Sequence, residues 1–294
     1  MNSQPEPPWT ILRLLNWTKE YFAQAGLEEP RLAAEVLLAH AFGCERIELY
    51  AGFDRQPSPE QLASFRGMVQ RAREHEPIAY LVGSKEFYSL KFKVTPEVLI
   101  PRPETEALVA EAGAHLQSLG RDSSVWDVCT GSGCVAVAVA KQNPAANVLA
   151  TDVCDAAVRI ARDNALAHGV QDRLQCRQAD LLKLPTDCRQ LAPFDVITAN
   201  PPYVAEGDQV ARTVQHEPRL ALYAGADGLD AIRPIVRDSP ALLRDGGILV
   251  IEFGHTQADA VRNLLVAGGC FEEPRILRDH QGIERIAAAR RREQ

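Results

Sequence analysis

Four residues of this 294-residue chain, Asn200-Pro201-Pro202-Tyr203, bring together an amide, two backbone-fixing rings and an aromatic ring. They follow the apolar run 194–199, which reads as a buried strand. That puts them at a strand's carboxyl end, where open α/β sheets bind their ligands. Such a set suits chemistry on a planar nitrogen. The Asn200 side-chain oxygen and the Pro201 backbone carbonyl can accept the N–H bonds of an amide or aromatic amine, turning its lone pair toward an electrophile. The prolines fix φ and keep a carbonyl out of any strand ladder, and Tyr203 offers a ring to pack on a flat group. Alone, the tetrapeptide also reads as a strand-ending turn, which Asn-Pro favours.

A second constellation supplies context. Asp127-Val128-Cys129-Thr130-Gly131-Ser132-Gly133 lies where the apolar run 125–128 gives way to a helical stretch. Glycines there let backbone approach a ligand, and a helix start offers free N–H groups. Asp152 ends the next apolar run, where a carboxylate commonly takes a ribose diol. Loop and aspartate together point to a nucleoside cofactor. Gly131-x-Gly133-x-x-Ala136 matches a shortened dinucleotide pattern, so a nicotinamide dinucleotide is one candidate. Asp127 suits a cationic tail, such as the amino group and sulfonium of S-adenosylmethionine, better than a pyrophosphate. Asp180, after the strand 174–178, could accept from an adenine amino group; a solvated strand-end carboxylate is the competing reading.

These residues need a scaffold. Residues 1–75 read as helix throughout, with Ile11, Leu15 and Phe22 at helical spacing and a capping box from Ser58 to Gln61. From Phe87 the period changes to two, which predicts a short hairpin. The stretch 100–106 then runs extended through Pro101 and Pro103 into a helix; Arg102 and Glu104 either face the site or form a structural hinge. Beyond it, strands at 125–128, 148–150, 174–178, 194–198 and 248–253 alternate with helices at 133–142, 155–167, 229–243 and 256–267, and two tail strands lie at 270–278 and 283–289. Such alternation predicts a mostly parallel sheet covered by helices on both faces. The division expected is a helical recognition domain over 1–86, a connecting hairpin over 87–100 and a catalytic domain over 101–294.

Composition narrows the partners. With 32 Lys+Arg against 39 Asp+Glu the net charge is -7, a weak argument against gripping a nucleic acid backbone. The seven cysteines include no C-x-x-C pair and fit a reducing compartment. His75, His115, His168, His216 and His255 have no metal-ligand spacing, so no metal is expected. The first ten residues lack the regions of a signal peptide, and the apolar run 134–140 is too short to cross a bilayer. A soluble cytoplasmic monomer is the expectation.

The glycine loop, Asp152 and Asn-Pro-Pro-Tyr together resemble a class I S-adenosylmethionine-dependent methyltransferase. Residues 75–94 (HEPIAYLVGSKEFYSLKFKV), 99–106 (LIPRPETE) and 216–232 (HEPRLALYAGADGLDAI) narrow this. With the helical N-terminus and 278–285 (RDHQGIER), nearly the whole chain resembles the PrmC/HemK family of peptide chain release factor glutamine N5-methyltransferases. The resemblance implies a Rossmann-like, mostly parallel sheet with an antiparallel C-terminal strand, behind a small helical bundle and a β-hairpin. It implies that Asp127, Cys129, Thr130, Gly131, Ser132, Gly133, Asp152, Asp180, Leu181 and Asn200 surround S-adenosylmethionine. It also implies that Asn200, Pro201, Pro202 and Tyr203 hold the glutamine of a Gly-Gly-Gln loop on the release factor. The chain departs at Cys129, where many members carry glycine, and at Leu181, where some carry an aromatic. Related readings are a ribosomal-protein glutamine methyltransferase, which typically lacks PRPETE, and an adenine-N6 nucleic-acid methyltransferase. A non-enzymatic cofactor-binding or haem-related scaffold would leave Asn-Pro-Pro-Tyr idle.

Overall fold

The computed structural model describes residues 8–279 and 281–293. Most of the opening stretch read for a signal sequence lies outside them. The chain divides into two compact units, one running to Gly83 and including Ala211–His216, the other holding Ser84–Val210 and Glu217 onward.

The first unit is helical: α1 (Ile11–Gln24), α2 (Pro30–Phe42), α3 (Arg46–Ala51), α4 (Pro59–Arg73) and α5 (Ile78–Val82). Local chemistry sets the starts. Thr10 Oγ1 accepts the Arg13 N–H at 3.3 Å, and Ser58 and Gln61 exchange the capping-box bonds. Ile11, Phe22, Leu37, Leu38 and Phe65 are buried between the helices. Residues 211–216, far along the chain, belong to this unit, and Arg212 lies 3.4 Å from His75 Nε2.

The second unit opens with the hairpin β1 (Ser84–Phe87) and β2 (Leu90–Lys93), turned by Tyr88 and Ser89 at positive φ. It starts three residues before the expected boundary, because Gly83 in the left-handed region ends α5 there. Phe87 and Phe92 of the hairpin are buried in the sheet unit's core. A 3₁₀ turn, Pro103–Thr105, leads into α6 (Glu106–Leu119). Then come β3 (Ser123–Val128), α7 (Cys134–Gln142), β4 (Ala146–Asp152), α8 (Asp155–Ala167), β5 (Leu174–Gln178) and β6 (Phe194–Ala199). They are followed by α9 (Ile232–Asp238), β7 (Leu243–Glu252), α10 (Ala258–Ala267), β8 (Arg275–Arg278) and β9 (Glu284–Arg290).

The sheet order is β5-β4-β3-β6-β7-β9-β8. The first five strands of that row are parallel, and β9 runs antiparallel to both β7 and β8. Strand order reverses between β3 and β6, the position at which doubly wound sheets open a crevice. The glycine loop follows β3 and Asn-Pro-Pro-Tyr follows β6, so the topology brings both to the switch point.

Two expectations for the later part of the chain are corrected. The helix expected over 229–243 is only α9, because Pro240 diverts the chain into a 3₁₀ turn and β7 begins at Leu243. The strand expected over 270–278 is confined to β8, directly after Pro274. At the end of the chain Arg290 closes β9 and the Arg292 N–H donates to the Cys270 carbonyl at 2.9 Å. All seven cysteines are free. Among the described residues no helix is long and apolar enough to cross a membrane.

Candidate active site

A cavity of 440 Å³ opens at the switch point of the sheet unit, within the roughly 300–1,000 Å³ of small-molecule pockets. Asp127, Cys129, Thr130, Gly131, Ser132, Asp152, Asp180, Leu181, Asn200 and Pro202 line it. Gly133, Pro201 and Tyr203 are not part of its wall. Gly133 caps α7 and packs on α8, where an added Cβ would sit 3.0 Å from that of Ala161. Tyr203 instead sends its hydroxyl to Glu252 Oε1 at 3.2 Å.

On the glycine-loop side the two carboxylates are already engaged, while Ser132 Oγ is buried without a hydrogen-bond partner among the described residues. Asp152 Oδ2 accepts the Gly131 N–H and Oδ1 the Cys154 N–H, both at 2.9 Å. Burial pushes this carboxyl up, while the N–H groups of Cys154, Gly131 and Val153 pull it back. Asp127, only 2% exposed, accepts the hydroxyls of Thr130 at 2.5 Å and Thr198 at 2.7 Å. Burial raises it to about 6 against those bonds. Gly131, at φ 53, would point a Cβ into open space. Cys129 adopts φ 57 with a side chain present, and burial together with Asp152, Asp127 and Asp180 keeps its thiol neutral. At the far rim Asp180 pairs with Lys183 at 2.6 Å, and Leu181 also has positive φ.

The opposite side is built differently. The Asn200 Nδ2 donates to Thr105 Oγ1 at 3.2 Å, and Thr105 donates to Glu252 Oε2 at 2.7 Å. Asn200 Oδ1 is buried with no hydrogen-bond partner among the described residues. The backbone after it is clamped: the N–H groups of Tyr203 and Val204 both reach the Leu222 carbonyl, and Gln257 Nε2 holds the Tyr203 carbonyl at 3.0 Å. Gly228, at φ 73, is obligatory here, since a Cβ would meet the Tyr203 carbonyl oxygen at 2.2 Å. Arg102 lines the cavity and pairs with buried Glu217, which also accepts the Ile100 N–H at 3.1 Å. The extended stretch before α6 is thereby anchored to residues 216–232. Thr105, Glu217, Glu252 and Gln257 were not singled out from sequence. A signal existed for Glu252, an acidic residue closing an otherwise apolar run.

Comparison with known proteins fits this geometry. The PrmC N-terminal domain matches residues 13–83, and the methyltransferase small domain matches residues 105–257. A release factor glutamine methyltransferase of Rhodopirellula baltica is 43% identical over 288 residues, covering 96% of each chain. That of Geobacter sulfurreducens is 40% identical over 296 residues, covering 99% of each. The chain belongs to the release factor glutamine methyltransferase family. A methyltransferase structure from Pyrococcus furiosus, 15% identical, aligns with a TM-score of 0.51 over 78% of this chain and 98% of that one, which shows the shared fold.

Membership of the family makes the chain an S-adenosylmethionine-dependent methyltransferase, and the donor set of the glycine-loop side fits that cofactor. An ionised Asp152 uses two of about four acceptor positions on backbone N–H groups, leaving room for a ribose diol. The open space beside Gly131 admits a ligand against bare backbone. Among the described residues no cluster of His, Cys, Asp or Glu is suited to hold a metal.

Proposed function

We propose that the chain methylates the side-chain amide nitrogen, N5, of the glutamine in the Gly-Gly-Gln loop of a peptide chain release factor. The observation that carries this reading is Asn200 Oδ1, a buried acceptor without a partner at the edge of the cofactor cavity. A buried unsatisfied acceptor costs about 1–3 kcal/mol, a cost that a bound amide N–H removes. Bound S-adenosylmethionine supplies an electrophilic methyl group. Asn200 accepts one N–H of the substrate amide, with the Pro201 backbone carbonyl as second acceptor once the amide is seated. Both bonds draw the nitrogen lone pair out of conjugation and aim it at the methyl group. Transfer is direct and in line, with no covalent enzyme intermediate. No general base is required beforehand, because the N-methylated amide cation sheds its proton readily. Positioning and polarisation supply the rate.

Asp152 holds the ribose, and Asp127 orders the glycine loop beneath the cofactor's charged tail. Asp180 and Leu181 flank the adenine. The helical unit recognises the body of the release factor. The reading has the enzyme working as a cytoplasmic monomer, and on a protein rather than on nucleic acid; the net charge of -7 weighs weakly toward the second of these. Tritiated S-adenosylmethionine offered separately with release factor, ribosomal protein and DNA tests it. Label is expected in the release factor; label only in nucleic acid contradicts the reading.

A further inference from the structure

An asparagine amide can present either its oxygen or its nitrogen to a pocket, and the two faces have opposite chemistry. An oxygen accepts the substrate N–H and polarises the nitrogen; an NH₂ group opposes it. Two residues outside the Asn-Pro-Pro-Tyr element decide which face Asn200 shows. We propose that Glu252 and Thr105 are positioning residues that lock the Asn200 amide with its oxygen toward the substrate.

The direction of the bonds carries the inference. An ionised carboxylate only accepts. Glu252, fully buried at the end of β7, takes the Thr105 hydroxyl on Oε2 at 2.7 Å and the Tyr203 hydroxyl on Oε1 at 3.2 Å. Thr105 has a single proton, and it is committed to Glu252. Its oxygen can then only accept, and what it accepts is the Asn200 Nδ2–H at 3.2 Å. The nitrogen of Asn200 is held away from the substrate, and Oδ1 is left buried and unpartnered. A neutral Glu252 breaks the logic. Protonated on Oε2 it donates to Thr105, whose own proton is then free to satisfy a flipped Asn200, so both amide orientations become competent.

The charge on Glu252 therefore matters, and its surroundings place the transition in an accessible range. Burial and the nearby Glu104 raise its carboxyl, while the hydroxyls of Thr105 and Tyr203 and the charge of Arg285 on β9 lower it, leaving it at about 7. The methyl-transfer rate should rise with pH through about 7 as Glu252 ionises. Stability moves the other way. The folded-state value lies above the ordinary carboxylate range, so the proton-linked stabilisation is complete below about 4.3 and is lost as pH rises through the folded value.

The inference rests on Asn200 being the acceptor for the substrate amide, and the test separates the two. The full chain, with saturating S-adenosylmethionine and a release factor, is assayed between pH 6 and 9 as wild type, Glu252→Gln, Thr105→Val, Thr105→Ser and Asn200→Ala. Glu252→Gln, close to isosteric, and Thr105→Val are each expected to lower kcat by about 10- to 100-fold, the scale of losing a group that orients a functional side chain. Calorimetric affinity for S-adenosylmethionine should stay within about threefold in Glu252→Gln, whose side chain is fully buried and does not line the cavity. Thr105→Ser should recover the rate lost in Thr105→Val. Glu252→Gln should also erase the rise in rate near pH 7 and, in melts of the free protein, gain stability over wild type as pH rises. If Asn200→Ala is impaired while Glu252→Gln keeps the wild-type kcat and pH profile, the relay is wrong and the acceptor assignment stands. If Asn200→Ala turns over at the wild-type rate, the acceptor assignment itself fails.

Discussion

The two sides of one cavity are finished to different degrees. On the glycine-loop side Asp152 and Asp127 already hold two hydrogen-bonded partners each, and the carboxylates organise the loop that will receive the cofactor. On the Asn200 side a chain of three side chains ends in an oxygen that has no partner among the described residues. The first arrangement is a preorganised binding surface, stable before any ligand arrives. The second is an acceptor held ready, whose cost is recovered when the reacting amide arrives. The contrast separates binding from polarisation, and substitutions on the two sides should fail in different kinetic parameters.

The largest effect is expected on the unfinished side. Asn200→Ala should lose about 10²–10³ in kcat, the scale of deleting one polarising hydrogen bond, while calorimetry finds cofactor affinity nearly unchanged. Asp152→Ala should do the reverse. Losing hydrogen bonds to a charged group costs about 1.5–3 kcal/mol, so calorimetry should show cofactor affinity weakened by roughly 10- to 150-fold. A smaller effect reports on Asp127. Its folded-state value of about 6 exceeds the ordinary value of about 3.9. Its proton-linked stabilisation is therefore complete below the ordinary value and lost as pH rises through 6. Thermal melts of Asp127→Asn should gain on wild type across that window. The smallest concerns Cys129, a side chain held at φ 57. Left-handed backbone costs an ordinary residue about 1–2 kcal/mol, and glycine gives back about 0.5–1 kcal/mol in entropy. Cys129→Gly should raise stability by a few tenths to about 1 kcal/mol, read as a higher Tm.

Much of the sheet unit was legible because its strands are buried on both faces and read as apolar runs. The strand at 174–178 and the helix at 155–167 coincide with the observed elements. The short α9 was not, although a signal existed: Pro234 is tolerated in its first turn, but Pro240 falls in the interior of the expected helix, where proline breaks one. Site residues divide in the same way. Gly131, Asp152 and Asn200 announce themselves by type and by position at strand ends, and all three line the cavity. Thr105 and Glu252 stand 147 positions apart and touch only because the 3₁₀ turn before α6 meets the end of β7. Residue spacing carries no trace of such a pairing. Tyr203 shows a further limit: its ring drew attention for packing, and the hydrogen bond of its hydroxyl to Glu252 had no signal in the sequence.

The division between binding and polarisation is tested most directly by single-turnover methyl transfer to a release factor at saturating S-adenosylmethionine, comparing Asp152→Ala with Asn200→Ala. The expected result is that excess cofactor restores Asp152→Ala to near the wild-type rate while Asn200→Ala stays slow at every concentration. Restoration of Asn200→Ala by cofactor, or equal and unrescued losses in both, would contradict it.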